Sequence, residues 1–256
     1  MLAAGYATRL RPLTDTVAKP LLPLAGRPML EYVYEKLAVV DDVDEVHVVS
    51  NARFADDFRE WAGHGERPVP VVVHDDQTTS NDDRLGAIGD VQYVLDAADL
   101  DGEDLLVVAG DNLFEFELRE FVAFWRSKRD GSAICVRQVD DLELMRQYAM
   151  VELAEDGRVT LFVEKPEDPT STLAAIAVYL YRAEHVPLVR AYLAEGNAPD
   201  QPGRFIAWLY SRAPVYAYRF PGAWLDIGDR EQLLEADNWV RRERGLPTRA
   251  EYSLEK

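Results

Sequence analysis

The chain has 256 residues, 48 % of them hydrophobic, with 46 acidic against 28 basic side chains and a formal charge of −18. That balance argues against a nucleic-acid partner, which calls for a basic face. The longest apolar runs, VPVVV and LLVVAG, fall far short of the roughly 18 residues that a membrane-spanning helix needs.

A single cysteine, Cys135, excludes an internal disulfide framework. Together with the lack of a basic and apolar leader at the start, it predicts a cytoplasmic protein. Only five of the 28 cations are lysines, at positions 19, 36, 128, 165 and 256. An acidic surface so poor in lysine repels itself unless salt screens it, which predicts a high-salt cytoplasm. The first thirty residues run the other way. There Arg9, Arg11, Lys19 and Arg27 face Asp15 alone, a net of +3 that leaves −21 for the rest. A positive island in an acidic chain predicts an anionic ligand.

In chain order, LAAG reads as the end of a strand opening into a small-residue turn. RPMLEYVYEKLAVV has apolar residues at helical spacing, with Pro28 suited to a first turn. EVHVVS, VPVVV and DLLVVAG read as strands; ARFADDFREWA, IGDVQYVLDAA and ELREFVAFWRSK read as helices. Buried strands alternating with helices predict an α/β fold with a Rossmann-like, mixed and mostly parallel sheet flanked by helices. Past about residue 130 the rhythm changes. SAICVRQV, AMVELAEDGRVTLFVEKP and LAAIAVYLY read as consecutive strands, with turns at Asp156-Gly157 and near Pro169, and Cys135 reads as a buried strand thiol. Helices return at EHVPLVRAYLAEG, GRFIAWLYSR and REQLLEADNWVRRERG. The expectation is one domain over residues 1–256, in two halves of about 1–115 and 116–240, with 241–256 as a tail.

A strand, a small-residue turn and a cluster of cations is one way α/β proteins hold phosphate, since bare backbone N–H groups approach the oxygens. The stretch is neither a dinucleotide fingerprint nor a Walker loop. It does resemble the opening of the sugar-1-phosphate nucleotidyltransferases. The matching residues are Leu2, Ala3, Ala4, Gly5, Tyr6, Ala7, Thr8, Arg9 and Leu10, then Pro12-Leu13-Thr14, Lys19, Leu22-Pro23 and Pro28-Met29. Three later pieces follow in the order of that family: AGDNLF with Asp111, FVEKPEDP with Glu164 and Lys165, and GAWLDIGD with Asp226. The resemblance runs from residue 2 to about 240 and is nearest to the short glucose-1-phosphate thymidylyltransferase type.

The resemblance implies a nucleotide-binding first half and a strand-rich, sugar-phosphate-binding second half. The implied reaction joins a sugar-1-phosphate to a nucleoside triphosphate, with dTTP or UTP favoured, and releases pyrophosphate. It supplies a nucleotide sugar for polysaccharide biosynthesis. Implied catalytic residues are Arg9, toward the β/γ-phosphates, and Lys19, toward the α-phosphate. Leu2, Ala3, Ala4, Gly5, Thr8, Arg9, Gly86, Ala87 and Gly110 would contact the nucleotide, and Tyr148, Glu164, Lys165 and Ile176 the sugar phosphate. Asp111 and Asp226 would hold one Mg2+. The implied partners are these two substrates, with a homo-oligomer left open.

The chain departs from that pattern at four places. It starts about four residues late in the first strand, which suggests a start codon placed too late or a trimmed chain. Ala4 and Ala7 replace glycines, and Ala7 demands a turn that alanine can adopt. In the segment that usually resembles G-L-A-Q, Arg84 stands at the glycine and Ala87 near the glutamine. Tyr148-Ala149 and Ile176-Ala177 replace the usual Tyr-Gly and Thr-Gly. Two alternatives follow: a weakly active sugar-nucleotide sensor or regulatory subunit on the same fold, and a cytidylyltransferase for a non-sugar phosphate. The second would need an aromatic box for an ammonium group, and no such cluster stands out in the sequence.

Overall fold

A computed structural model describes residues 1–254. In chain order the elements are β1 (Pro23–Leu24), β2 (Arg27–Pro28), α1 (Met29–Ala38), β3 (Val46–Ser50), α2 (Ala55–Gly63), β4 (Val71–Asp75), α3 (Ala87–Ala98), β5 (Leu105–Val108), β6 (Asn112–Phe114) and α4 (Leu118–Ser127). They continue with β7 (Ser132–Gln138), α5 (Leu142–Met145), β8 (Ala149–Leu153), β9 (Val159–Glu164), β10 (Leu173–Tyr181), α6 (Leu188–Ala194), α7 (Gly203–Leu209), β11 (Val215–Arg219), β12 (Trp224–Asp226) and α8 (Arg230–Glu243). The chain forms two compact units.

The first unit comprises residues 1–84, 109–115 and the chain from Gly222 onward. Its β3 and β4 pair in parallel, Val46 opposite Val71. Leu2 makes parallel bridges to both Val49 and Ala109, which places the start of the chain beside the carboxyl end of β3. Helix α1 buries Met29, Leu30, Val33, Tyr34 and Leu37, one apolar stripe at helical spacing. Pro28 is its N-cap. Residues β6 and β12 form an antiparallel ribbon, Asp226 opposite Asn112. Helix α8 packs Leu233, Ala236 and Val240 onto Leu10, Leu22, Leu24, Met29, Leu113 and Ile227.

The second unit comprises residues 85–108 and 116–221. It is built on a sheet with the order β11-β7-β10-β8-β9, and β5 also pairs with β10. The nine-residue β10 lies at its centre, and its unbroken apolar sequence, LAAIAVYLY, is what a strand covered on both faces requires. The register of β7 against β10 shifts between Ala175 and Tyr179. Gly157 turns the β8–β9 hairpin at φ 84°, an angle that costs glycine little. Cys135 is fully buried in β7, and burial pushes its thiol well up.

The sheet is mixed, as the sequence predicts, but the balance of pairings differs between the units. In the second, β10 runs antiparallel to β5, β7 and β8, and β8 antiparallel to β9; β11–β7 is parallel. The boundaries also differ from the expected halves of 1–115 and 116–240. Segment 85–108 joins the second unit because β5 pairs with β10. Segment 222–240 returns to the first because β12 pairs with β6 and α8 covers the N-terminal core. The expected tail begins inside α8, and its last two residues lie outside the described residues. No helix among the described residues is long and apolar enough to cross a membrane.

Candidate active site

The opening loop is pinned from below and open above. Ala3 N–H donates to Val49 O at 3.0 Å, Asn51 Nδ2 donates to Ala4 O at 2.9 Å, and the Tyr6 hydroxyl lies 3.2 Å from Thr78 Oγ1. Ala3, Ala4 and Tyr6 are buried while Gly5, Thr8 and Arg9 are exposed. A side chain at Gly5 would meet no atom within 4 Å. Ala7 adopts φ 43° and ψ 48°, a left-handed conformation that alanine occupies at a cost. Thr14 Oγ1 donates to Ala7 O at 3.0 Å, and a short 3-10 turn from Thr8 to Leu10 follows, turning Leu10 inward. Arg9 therefore stands outward on a fixed base. Arg11 is tied to Asp15 at 3.3 Å, and Arg230 donates to Arg11 O at 2.7 Å.

Lys19, Asp111 and Asp226 come from three distant segments of the same unit. Lys19 starts a 3-10 turn, Lys19–Leu21, is only 12 % exposed, and forms a short ion pair with Asp111 Oδ2. An ammonium held by one carboxylate keeps further N–H donors for phosphate oxygens. Asp111 immediately precedes Asn112, the residue directly opposite Asp226 across the β6–β12 ribbon. Trp224 Nε1 donates to Asn112 Oδ1 at 3.1 Å and steadies that ribbon. No group of three or more metal-ligating side chains is found among the described residues. One or two carboxylates are nevertheless a donor set that Mg2+ uses when phosphates and water complete its shell. Gly110 serves packing: its N–H donates to Leu2 O at 2.9 Å, and a Cβ there would approach Leu30 Cδ1 to 2.9 Å.

The second unit gathers Tyr148, Glu164 and Lys165. Glu164 ends β9 opposite Ala149, and Lys165 N–H donates to Tyr148 O at 3.0 Å. Lys165 is exposed and has φ 49°. Such strain in a non-glycine residue is often found at ligand sites. Burial pushes the Glu164 carboxyl above its usual range, against the pull of Lys165 and Arg204. Gly203, the first residue of α7, lies against that carboxyl: a Cβ there would come within 2.2 Å of Glu164 Oε2, so the Glu164 side chain would have to move.

One expectation for this unit is corrected. Ile176 is 1 % exposed, a core side chain with no face to offer a sugar. Gly86 and Ala87 pack against a neighbouring loop. Ala87 and Ile88 N–H donate to Asp200 O at 3.4 Å and Pro199 O at 2.9 Å, and a Cβ on Gly86 would come within 2.8 Å of the Pro199 carbonyl. The first-turn amides of α3 are thus occupied by protein. One polar group passed over in the sequence is Gln77, exposed just past the carboxyl end of β4. It has φ 65°, and its N–H donates to Asp75 Oδ1 at 2.7 Å. The signal was an amide directly after a parallel strand, where open α/β sheets bind ligands.

Residues 1–243 match the family model described as nucleotidyl transferase. The chain is 31 % identical to a glucose-1-phosphate adenylyltransferase of Thermomicrobium roseum, over 93 % of this chain and 58 % of that one. It is 29 % identical to a glucose-1-phosphate thymidylyltransferase of Streptomyces griseus, over 94 % and 65 %. The chain spans somewhat more than half the length of several curated relatives it matches, 53 %, 59 % and 58 % in three of them. The fold is that of a UDP-glucose pyrophosphorylase from Acinetobacter baumanii, with a TM-score of 0.79 at 20 % identity over 95 % of this chain and 92 % of that one.

Proposed function

The chain belongs to the nucleotidyl transferase family, and from that premise we propose that it couples a sugar-1-phosphate to a nucleoside triphosphate, with release of pyrophosphate. The observation that supports the reading is the Lys19–Asp111 ion pair, with Asp226 opposite Asn112 across the β6–β12 ribbon, in the same unit as the pinned, cation-bearing loop. A phosphate monoester has a second pKa of about 6, so the attacking oxygen is an anion at neutral pH. No general base is required. The task is to hold anions together and to stabilise charge on the leaving group.

In this reading Arg9 holds the β/γ-phosphates and then the departing pyrophosphate. Lys19 donates to the α-phosphate as its charge develops. Lys165 binds the sugar phosphate, and Glu164 accepts from sugar hydroxyls. Asp111 and Asp226 would hold Mg2+, which would supply charge neutralisation between the phosphates. Ala87 has no side-chain amide with which to read a base, whereas Gln77 has one; the reading favours dTTP or UTP.

The test is pyrophosphate release across a matrix of triphosphates and sugar-1-phosphates, in molar KCl with and without Mg2+. Arg9→Ala and Lys19→Ala are each expected to cut turnover at least about a hundredfold with little effect on folding. Near-parental turnover in both variants would remove the mechanism. Binding of nucleotide sugars without pyrophosphate release from any pair would favour a regulatory protein on the same fold.

A further inference from the structure

We propose that the segment from Asp237 to Tyr252 is a positioning device for Lys19, acting through the β1–β2 hairpin. The inference rests on the reading of Lys19 as a group that contacts the triphosphate.

The hairpin turns at Ala25 and Gly26, with φ of 47° and 83°. Both central residues of such a tight turn need positive φ, and alanine resists it. The turn persists because side chains occupy its backbone groups. Ala25 N–H donates to Asp237 Oδ1 at 2.7 Å, and Ala25 O accepts from Arg244 Nη1 at 2.8 Å. Pro23 O accepts from the Tyr252 hydroxyl at 2.8 Å, and Leu24 O from the Tyr32 hydroxyl at 2.8 Å.

The clamp is itself held. Asp237 has no exposed surface; its Oδ2 accepts from Arg241 Nε at 3.0 Å and pairs with Arg249 at 2.8 Å. Asn238 bonds both backbone groups of Arg249, at 2.8 and 2.9 Å. A buried carboxylate among guanidiniums is a poor route to stability, since an apolar cluster of the same volume often does as well. What it does provide is a single geometry.

That geometry passes directly to Lys19. Leu22 and Leu24 are fully buried, Leu22 N–H donates to Lys19 O at 3.1 Å, and Met29 N–H donates to Leu22 O at 3.0 Å. Only Pro20 and Leu21 separate Lys19 from this fixed point. Displacing a reacting group by about 1 Å can cost up to a hundredfold in rate.

The experiment compares Tyr252→Phe and Arg249→Gln with Tyr34→Phe. The last removes an equivalent tyrosine-to-carbonyl bond, Tyr34 to Val69 O at 2.8 Å, elsewhere in the same unit. The measurements are kcat, KM for each substrate, Tm, and the acylation rate of Lys19 read by peptide mass spectrometry. Tyr252→Phe and Arg249→Gln are expected to lower kcat about tenfold, leave KM for the sugar phosphate unchanged, and speed acylation of Lys19 severalfold. Tyr34→Phe is expected to lower Tm as much while leaving kcat and Lys19 reactivity at the parental values. Parental kcat and Lys19 reactivity in both clamp variants would overturn the proposal, as would equal losses in Tyr34→Phe. If Lys19→Ala keeps its turnover, the functional reading fails, and the acylation rates still decide whether the clamp positions Lys19. Asp237→Asn should exceed both clamp variants in effect; if it does not fold, the two milder variants carry the decision.

Discussion

Ala7 and Glu164 show what a residue at a site of this kind gives up. Ala7 holds a left-handed backbone, where a Cβ costs roughly 1–2 kcal/mol, partly offset because alanine restricts the unfolded chain more than glycine does. Ala7→Gly should therefore raise stability by up to about 1 kcal/mol, read from urea unfolding with an unchanged m value; a loss of stability would mean the loop is not strained there. Glu164 is partly buried at the end of β9, and that burial pushes its carboxyl above the usual range. A carboxyl raised in the folded state binds more protons folded than unfolded. The parent therefore loses stability as pH rises from the ordinary glutamate value through the raised one. Glu164→Gln should be more stable than the parent at neutral pH, equal to it below about pH 4, and at least about tenfold less active. A Tm advantage that persists unchanged at low pH would show that the charge is not the cause. Arg9, Lys19, Asp111 and Lys165 stand out in the sequence because their types and spacing match the motif, and the structure pairs Lys19 with Asp111. Ile176 was misplaced because its burial depends on what covers β10.

At the scale of elements, strand pairing creates contacts that no local pattern announces. His47 and His74 look scattered in the chain. Parallel pairing of β3 with β4 sets Val49 opposite His74 and brings His47 Nδ1 to 2.9 Å from His74 Nε2. Burial lowers both imidazoles below their usual range, against the pull of Glu45, whose carboxylate lies 3.0 Å from His47 Nε2. A histidine depressed in the folded state is protonated first in the unfolded state. Its neutral-form stability is complete above about pH 6.5 and falls as pH drops toward the lowered value. The parent should lose Tm between pH 7 and 5, and a His47→Gln/His74→Gln variant should lose less over that interval. Identical acid limbs in thermal scans would refute the coupling. The same kind of pairing, β12 on β6, sets Asp226 opposite Asn112, the residue after Asp111; a three-residue strand such as WLD is too short to declare itself by alternation.

For the whole molecule, the net charge sets the prediction. With −21 outside the first thirty residues, self-repulsion opposes the compact state in dilute buffer. Raising KCl from about 0.1 M to about 1 M shortens the screening length from about 10 Å to about 3 Å. Thermal stability should rise over that range. Groups in direct contact, such as Lys19 and Asp111, are screened less than exposed charges, so an Asp111→Asn/Asp226→Asn variant should gain the same stability from KCl and stay inactive at every Mg2+ concentration. Maximum stability in low salt would refute the high-salt reading, and substantial activity in the double variant would refute the metal site.

The sequence by itself determined the strand–helix alternation to about residue 128, the small-residue loop with its cations, and the residue types of the chemistry. Periodicity, turn chemistry and motif spacing are local properties, readable without partners. The tertiary structure alone decided that β10 is the antiparallel centre of a sheet and that the chain from Gly222 returns to the N-terminal core. It also decided that Gly203 packs against Glu164, that Gly86 packs on Pro199, and that Lys19 meets Asp111. These depend on register and close approach between segments up to more than two hundred residues apart, and composition does not encode which strands pair.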